Sequence, residues 1–295
     1  MTVSAFGDPS VLTLADLPVP DPGPGQVLMR VAGAGVGPWD AKARRGQLGP
    51  RTFPFVAGVE ASGTVSAVGD GVDGVVPGDR VYGSPSGGYS EYAIVDVARL
   101  APAPTALDLV DAGGVPVGAV TALEGLDDHL HVAAGDRVLV AGAAGGVGTF
   151  VVQLAKARGA EVVATASPPN HDFLRRLGAH RVVDYHGDWV AEVGAVDAAY
   201  DCVGGPTWPG CVAAVRDGGR AVTIAGWGVE VDRPAVATSI FSASVTTARL
   251  AEIAAIVDSG SVVVEVAARL ALEDAVRAHE QIESGHTRGK IVLVP

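Results

Sequence analysis

The glycine-rich turn at residues 143–148 carries the strongest chemical signal in the sequence. It follows the apolar run 137–141 and leads into the apolar segment 146–158, which is the order strand, turn, helix. In a dinucleotide site of this kind, one glycine makes the tight turn, a second lets a pyrophosphate approach the backbone, and a third lets helix and strand pack closely. Gly145 and Gly148 take the second and third places, and Ala143 stands in the first.

The N-terminus of the helix after this turn presents N–H groups and about half a positive charge, which suits a phosphate. A glycine-rich strand-to-helix turn that binds nothing is the alternative. We expect the pyrophosphate contacts to come from Ala143, Ala144, Gly145, Gly146, Val147 and Gly148.

The loop after the next predicted strand, 161–165, bears on which dinucleotide is bound. A site selective for NAD places Asp or Glu about twenty residues beyond the glycines, on the adenosine ribose. This chain has Thr165, Ser167 and Asn170 there and no acid, so a 2′-phosphate would meet hydrogen-bond donors instead of a repelling carboxylate. Arg175 or Arg176 on the following helix can add positive charge. The loop favours NADPH.

The overall charge excludes several classes of partner. The formal net charge is -12 and the sequence has no Lys/Arg cluster, so a nucleic-acid-binding surface is not expected. No apolar stretch approaches the ~20 residues needed to span a bilayer, and no basic-then-apolar leader begins the sequence. We therefore expect a cytoplasmic protein without a membrane partner. Cys202 and Cys211 form neither a disulfide framework nor a metal-ligand array.

The pattern of predicted secondary structure changes along the chain and predicts two domains. Residues 3–101 contain short β-like runs separated by Gly/Pro turns, which predicts a β-rich, barrel-like domain. From about residue 111, strands and helices alternate, which predicts a parallel, doubly wound sheet. The predicted strands are 27–31, 63–68, 80–82, 92–95, 137–141, 161–165, 181–184, 196–201 and 219–225, and the predicted helices are 146–158, 170–177, 206–216 and 247–258.

The C-terminal segment is too short to fold alone. It contains a predicted strand at 262–266, a helix at 272–283 and a strand at 290–294. We expect it to complete the N-terminal domain, which gives a β-rich domain of residues 1–110 and 259–295 and a dinucleotide-binding domain of residues 111–258. The predicted fold class is α/β.

Further motifs support a resemblance that covers nearly the whole chain. In chain order they are PVPDPGPGQVL (18–28), DAKARRG (40–46), GVEASG (58–63), GDRVYG (78–83), GGYSEY (87–92), PVGAVTA (116–122), QLAK (153–156), LGA (177–179), DCVGG (201–205) and HTRGKIVL (286–293). With them the chain resembles the zinc-independent, quinone oxidoreductase-like branch of the medium-chain dehydrogenases/reductases. The resemblance implies a GroES-like catalytic domain split by a Rossmann domain, a homodimer, and a nicotinamide bound in the cleft between the domains.

The resemblance also implies that zinc is absent. Zinc-dependent members carry a Cys shortly before the Asp that matches Asp40, and a His inside the motif that matches residues 58–60. This chain has Gly37, Pro38 and Val59 at these places, and the four-cysteine structural lobe is missing. His129 and His131 are residues of a type that can bind metal, but a role without metal is the preferred interpretation for both. We predict no metal.

The resemblance assigns further residues to the cofactor. Thr121, Cys202, Gly226, Ile240 and Ser242 are implied near the nicotinamide half, and Tyr185 near the adenosine phosphate. Cys202 has no His placed by sequence to activate it, so a small apolar role is preferred to a nucleophile.

The substrate side departs from the family pattern. Quinone-reducing members often place Asn where Gly37 stands and tyrosines where Lys42 and Leu48 stand. The candidates left for substrate contact are Trp39, Asp40 and Lys42, while a packing role or a surface ion pair remains open for Asp40 and Lys42.

Three functional hypotheses follow. The first is an NADPH-dependent reductase of quinones or α,β-unsaturated carbonyls, because without a metal the cofactor must do the chemistry. The second is an enoyl-thioester reductase. The negative net charge of the chain is a weak argument against it. The third is a protein that binds NADPH as a sensor or partner without turnover.

Overall fold

The computed structural model describes residues 1–225 and 227–295. Its strands, in chain order, are β1 (Thr2–Val3), β2 (Leu12–Thr13), β3 (Gln26–Val36), β4 (Phe55–Val56), β5 (Ala61–Val68), β6 (Arg80–Gly83), β7 (Tyr92–Asp96), β8 (Leu100–Pro102), β9 (Arg137–Ala141), β10 (Glu161–Thr165), β11 (Arg181–Val183), β12 (Val196–Asp201), β13 (Val215–Thr223), β14 (Ala237–Ile240), β15 (Val266–Ala271) and β16 (Lys290–Val294).

The helices are α1 (Pro38–Arg44), α2 (Leu109–Ala112), α3 (Pro116–Glu124), α4 (Gly148–Ala157), α5 (His171–Leu177), α6 (Trp189–Val193), α7 (Thr207–Ala214), α8 (Thr247–Asp258) and α9 (Ala275–Glu283). A π-helix, Gly125–His129, directly follows α3. Short 3-10 turns occupy Pro9–Val11, Val97–Arg99, Pro168–Asn170 and Leu272–Asp274. Within the described part of the chain, no helix is both long enough and apolar enough to cross a membrane.

The chain divides into two compact units. The first contains Met1–Val120, Val245–Gly260 and Val264–Pro295, and the second contains Thr121–Ser244 and Ser261–Val263. This division assigns α8 to the first unit, whereas the sequence prediction ended the dinucleotide-binding domain at residue 258. The domain limits drawn from the sequence stay a prediction.

The first unit is built on β3, which runs through the middle of a seven-stranded sheet of order β15-β16-β3-β5-β6-β8, with β7 also paired to β3. Val27, Met29 and Val31 alternate along β3 and are buried in one core cluster. The C-terminal strand β16 pairs antiparallel with β3, Ile291 opposite Val36. The end of the chain thus joins the sheet that begins near residue 26.

The second unit is a parallel sheet of six strands, in the order β11-β10-β9-β12-β13-β14. Counted from β9, this order is 3-2-1-4-5-6, which is that of a doubly wound dinucleotide-binding fold. Leu139, Val163 and Ala199, on its central strands, are fully buried. Strands of this kind read as continuous apolar runs because a parallel sheet is covered on both faces. The predicted α/β fold class is confirmed.

One sequence expectation about the later strands is wrong. The strand expected at 262–266 is β15, which begins at Val266, because Gln153 binds both backbone groups of Val263, at 2.8 Å to its N–H and 3.0 Å to its carbonyl. The backbone of Val263 is therefore satisfied within the second unit and does not enter the sheet.

Candidate active site

The glycine turn lies where β9 ends and α4 begins, at the point where the strand order reverses between β10 and β12. Gly142 has a φ of +71° and is therefore the left-handed residue of the turn. It directly precedes Ala143, the residue that the sequence analysis placed at the first glycine position. The Gly145 N–H donates to the Gly142 carbonyl at 3.1 Å and closes the turn.

The other two glycines have different physical roles. A Cβ on Gly148 would stand 2.3 Å from the Gly142 carbonyl oxygen and 2.7 Å from Ala143 Cα, so only glycine lets α4 start this close to the turn. A Cβ on Gly145 would meet only the Gly142 oxygen, at 3.4 Å. The face of the turn at Gly145 is therefore open, which is the cradle a pyrophosphate needs against the backbone.

The loop after β10 retains the acid-free character read from the sequence. Thr165 is buried at the strand end, while Ser167 and Asn170 are half-buried and joined by a hydrogen bond of 3.3 Å. Arg175 pairs with Asp172 at 2.7 Å on an exposed surface, and Arg176 is exposed one residue further along α5. The loop offers hydroxyl and amide groups to an adenosine ribose or its phosphate.

The turn after β12 is held by a buried carboxylate that sequence reasoning missed. Asp201 is fully buried and accepts from the N–H groups of Val203 and Gly204, at 2.8 and 3.0 Å, and from the Thr223 hydroxyl at 2.9 Å. Since Thr223 ends β13, Asp201 ties the loops after two neighbouring strands together. The Cys202 N–H donates to the Ala141 carbonyl at 3.1 Å, which brings this turn against the glycine turn.

Cys202 is half-buried. Burial raises the pKa of the Cys202 thiol well above its usual value. A protonated thiol is a poor nucleophile, which agrees with the apolar role expected for this residue.

Thr121 lies on α3 and is buried. The Tyr200 hydroxyl, on β12, donates to the Thr121 backbone carbonyl at 2.8 Å. The helix that carries Thr121 is therefore fixed to the sheet next to the turn that contains Cys202. Sequence reasoning found Thr121 but not Tyr200.

The remaining cofactor candidates lie at the periphery of the second unit. Tyr185 is 43% exposed and its ring packs on His186 with centroids 4.3 Å apart. Ile240 ends β14 and is 37% exposed, and Ser242 is exposed in the segment that follows. Gly226 lies outside the described residues.

In the first unit, α1 carries all three substrate-side candidates. Trp39 is 39% exposed, Lys42 is half-buried, and Asp40 is 3% exposed. Asp40 Oδ2 accepts from the Gly37 N–H at 2.9 Å and so fixes the first turn of the helix. An exposed ion pair for Asp40 is thereby wrong, because its carboxyl lies in the interior.

Asp40 belongs to a buried polar cluster with Glu60, Tyr89 and Lys290. Glu60 Oε1 pairs with Lys290 Nζ, and Glu60 Oε2 accepts from the Val117 N–H at 2.8 Å, at the start of α3. Lys290 forms its ion pair with Glu60, so the second buried carboxyl of the cluster is expected to hold a proton.

That carboxyl is Asp40. Burial, with the Glu60 charge, raises its pKa to about 7, although the Gly37 N–H, Lys290 and the Tyr89 hydroxyl oppose the shift. Asp40 Oδ1 and the Tyr89 hydroxyl are both buried, and neither has a hydrogen-bond partner of normal geometry among the described residues. The sequence contained the signal for this cluster, since Glu60 and Lys290 lie within the motifs GVEASG and HTRGKIVL.

No group of three or more His, Cys, Asp or Glu able to hold a metal ion occurs in residues 1–225 and 227–295. His129 instead stacks on Phe241, with ring centroids 4.3 Å apart, and its Nδ1 lies 3.1 Å from the Ser239 hydroxyl. His131 Nδ1 lies 2.6 Å from the Asp127 carbonyl oxygen.

Comparison with known proteins places this architecture in a family. Residues 23–105 match the model of the alcohol dehydrogenase GroES-like domain, and residues 177–293 match the model of the zinc-binding dehydrogenases. The chain is 30% identical to a quinone oxidoreductase of Pseudomonas aeruginosa, over 99% of this chain and 98% of that protein. It is 32% identical to a chloroplastic NADPH-dependent alkenal/one oxidoreductase of Arabidopsis thaliana, over 99% of this chain and 78% of that protein.

Among solved structures, a mycobacterial protein complexed with NADPH superposes with a TM-score of 0.91 at 32% identity, covering 100% of this chain and 99% of the other. The match covers the residues of both units. The chain belongs to the medium-chain dehydrogenase/reductase family, in its quinone oxidoreductase-like branch.

Proposed function

We propose that this protein is an NADPH-dependent oxidoreductase that reduces quinones or the activated C=C bond of α,β-unsaturated carbonyls. The observation that carries the proposal is the open glycine turn at the β9–β12 switch point, followed by a loop without an acid after β10. The activities named for its relatives, quinone oxidoreductase and NADPH-dependent alkenal/one oxidoreductase, support the same reaction class.

The residues of the second unit fit the cofactor. Gly145 leaves room for a pyrophosphate at the backbone, and Gly148 lets the N-terminus of α4 approach it. Thr165, Ser167 and Asn170 would meet the adenosine ribose and its 2′-phosphate, with Tyr185 beside the adenosine. When bound, NADPH supplies a hydride to the substrate.

The turn after β12 and helix α3 would frame the nicotinamide. Asp201 accepts from the N–H groups of Val203 and Gly204, and these hydrogen bonds leave that turn little freedom. Thr121 would contact the nicotinamide half from α3, Ile240 from the end of β14, and Ser242 from the segment that follows. A site held this rigidly on sheet and helix favours hydride transfer by orientation.

On the substrate side, α1 supplies the candidates. Trp39 offers an exposed aromatic face to a flat quinone or enone, and Lys42 offers a positive charge to the oxygen that gains electron density on reduction. Asp40 would act from the interior, where its bond to the Gly37 N–H fixes the turn that presents Trp39.

Three further features belong to the proposal. The protein works without zinc, since Gly37 and Val59 stand where zinc-dependent members have ligands. It forms a homodimer, for which β14, the last strand of the parallel sheet, is the natural pairing edge. It is cytoplasmic.

The test is a matrix of cofactors and acceptors. Purified protein is mixed with NADPH or NADH and with a benzoquinone, a short-chain alkenal, a cyclic enone or an enoyl thioester, and the absorbance of the reduced cofactor is followed. We expect oxidation of NADPH with the quinone or the enones, and weaker activity with NADH.

Other outcomes would replace the proposal. Activity confined to the enoyl thioester would make the protein an enoyl-thioester reductase, and tight NADPH binding without turnover on any acceptor would make it a binding protein. One zinc per chain by metal analysis would overturn the zinc-free mechanism. A monomer in sedimentation at micromolar concentration would overturn the dimer.

A further inference from the structure

Tyr200 makes an unusual connection between the central sheet and helix α3. It lies on β12, directly before Asp201 and the turn that contains Cys202, and it is fully buried. Its hydroxyl donates to the backbone carbonyl of Thr121, 79 residues earlier in the chain, at 2.8 Å. A strand residue beside the expected cofactor therefore binds the backbone of a helix residue expected at the same cofactor.

The ring of Tyr200 fits only because residue 125 is glycine. A Cβ on Gly125 would lie 2.2 Å from Tyr200 Cε2 and 2.6 Å from its hydroxyl oxygen. Gly125 begins the π-helix that follows α3, so the helix changes its hydrogen-bond pattern where the Tyr200 ring packs. Short π-helical turns are often found at functional sites. The glycine and the altered helix together admit the tyrosine.

The chemistry of the contact is that of a fixed donor. Burial raises the pKa of the Tyr200 hydroxyl well above its usual value, so the group stays protonated at any working pH. A neutral phenol that binds a carbonyl carries no charge into the site. Its effect is to set the distance between α3 and the end of β12.

We propose that Tyr200 is a positioning residue for the nicotinamide end of the site, where its hydroxyl holds the backbone of Thr121 at the distance from the turn after β12 that hydride transfer requires. This inference rests on the proposed function, because Thr121 and Cys202 are assigned to the nicotinamide there. Gly125 contributes to the same positioning role, since it leaves room for the Tyr200 ring.

The test compares Tyr200→Phe with Tyr82→Phe. Tyr82 is a matched control because it too is fully buried and donates its hydroxyl to a backbone carbonyl, that of Leu250, within the first unit. Each substitution removes one buried hydroxyl and keeps the ring. The measurements are the thermal midpoint, the Kd for NADPH by fluorescence titration, and the single-turnover rate constant of hydride transfer to a saturating enone or quinone.

For Tyr200→Phe we expect hydride transfer to fall roughly 5- to 10-fold and the Kd for NADPH to rise by a similar factor, the equivalent of one buried hydrogen bond. The KM for the acceptor should change less than the rate constant. Tyr82→Phe should lower the thermal midpoint comparably while leaving Kd and hydride transfer within twofold of the parent protein. Gly125→Ala should reproduce the kinetic defect, because its methyl group displaces the ring.

A double-mutant cycle decides whether Tyr200 acts through Thr121. In a Thr121→Ala background, which keeps the carbonyl but removes the side chain, Tyr200→Phe should change hydride transfer by less than twofold. An equal fold-change in both backgrounds, or kinetics of Tyr200→Phe that match Tyr82→Phe, would overturn the inference. If the parent protein oxidises no NADPH at all, the proposed function fails, and the Kd comparison between the two tyrosine variants still tests the positioning role.

Discussion

The paired substitutions Gly145→Ala and Gly148→Ala separate the binding role of the glycine turn from its folding role. At Gly145 an added Cβ meets its nearest neighbour, the Gly142 oxygen, at 3.4 Å, which is an ordinary contact. Gly145→Ala should therefore fold, and loss of glycine flexibility in the unfolded chain could add about 0.4–1 kcal/mol of stability. Its methyl group would stand where the pyrophosphate approaches the backbone. Loss of one charge-assisted hydrogen bond, about 1.5–3 kcal/mol, corresponds to a Kd for NADPH roughly 10- to 150-fold higher.

Gly148→Ala should behave differently, because its Cβ would stand 2.3 Å from one backbone oxygen and 2.7 Å from Ala143 Cα. The turn or α4 must move by about 1 Å, and overpacking of this kind costs about 1–3 kcal/mol. The assay is urea denaturation together with fluorescence titration of NADPH. A folded Gly145→Ala protein that binds NADPH as tightly as the parent would refute the assignment of the turn to the pyrophosphate.

Three further predictions concern the buried polar cluster and cofactor choice. Asp40→Asn should remove a pH-dependent loss of stability. Because the pKa of Asp40 is raised from 3.8 to about 7, the folded protein holds a proton that the unfolded chain releases. The free energy of unfolding of the parent protein should therefore fall by up to about 4 kcal/mol as the pH rises from 4 through 7. Parallel stability curves for the two proteins over this range would contradict it. Lys290→Met should lower the free energy of unfolding by about 3–5 kcal/mol, because it leaves the buried Glu60 carboxylate without its cation. Adding Glu60→Gln to this variant should recover part of the loss. Additive losses of the two substitutions in urea denaturation would disprove the pairing. Ser167→Asp should raise the Kd for NADPH at least tenfold with little change for NADH, and equal changes for both cofactors would show that this loop does not meet the 2′-phosphate.

The parallel sheet could be predicted closely because its strands are buried on both faces. The apolar runs 137–141, 161–165 and 196–201 match β9, β10 and β12 in full. The apolar pattern predicted a strand boundary wrongly where the contacts of the backbone change within a few residues. The run 262–266 is as apolar as a strand, but Gln153 holds Val263 and the strand begins only at Val266.

Helices α1 and α3 carry site residues and were not predicted as helices. Helix α1 begins with Pro38 after Gly37, which is a recognisable helix start, but the helix is short and includes both Trp39 and Asp40. Helix α3 is apolar on nearly all sides, so it has no helical stripe to detect.

The candidate site was predictable where chemistry resides in consecutive residues and not where it depends on distant pairs. Residues 143–148 and the acid-free loop at Thr165 are local signals, and both lie at the end of their strands as expected. The bond from Tyr200 to Thr121 joins residues 79 positions apart. The return of the C-terminal segment was predicted, but the burial of Asp40 with Lys290 depends on the register of β16 on β3, which the sequence pattern does not give.

The most direct test of the account is to follow the hydride itself. The protein is mixed in a single turnover with NADPH carrying deuterium at the transferable C4 position and with an α,β-unsaturated ketone in water. We predict that the saturated product carries deuterium at its β-carbon and a solvent proton at its α-carbon, and that Gly145→Ala strongly reduces the transfer at an NADPH concentration near the Kd of the parent protein. Bound NADPH that stays unoxidised with both this ketone and a benzoquinone, or a product without deuterium, would contradict the account.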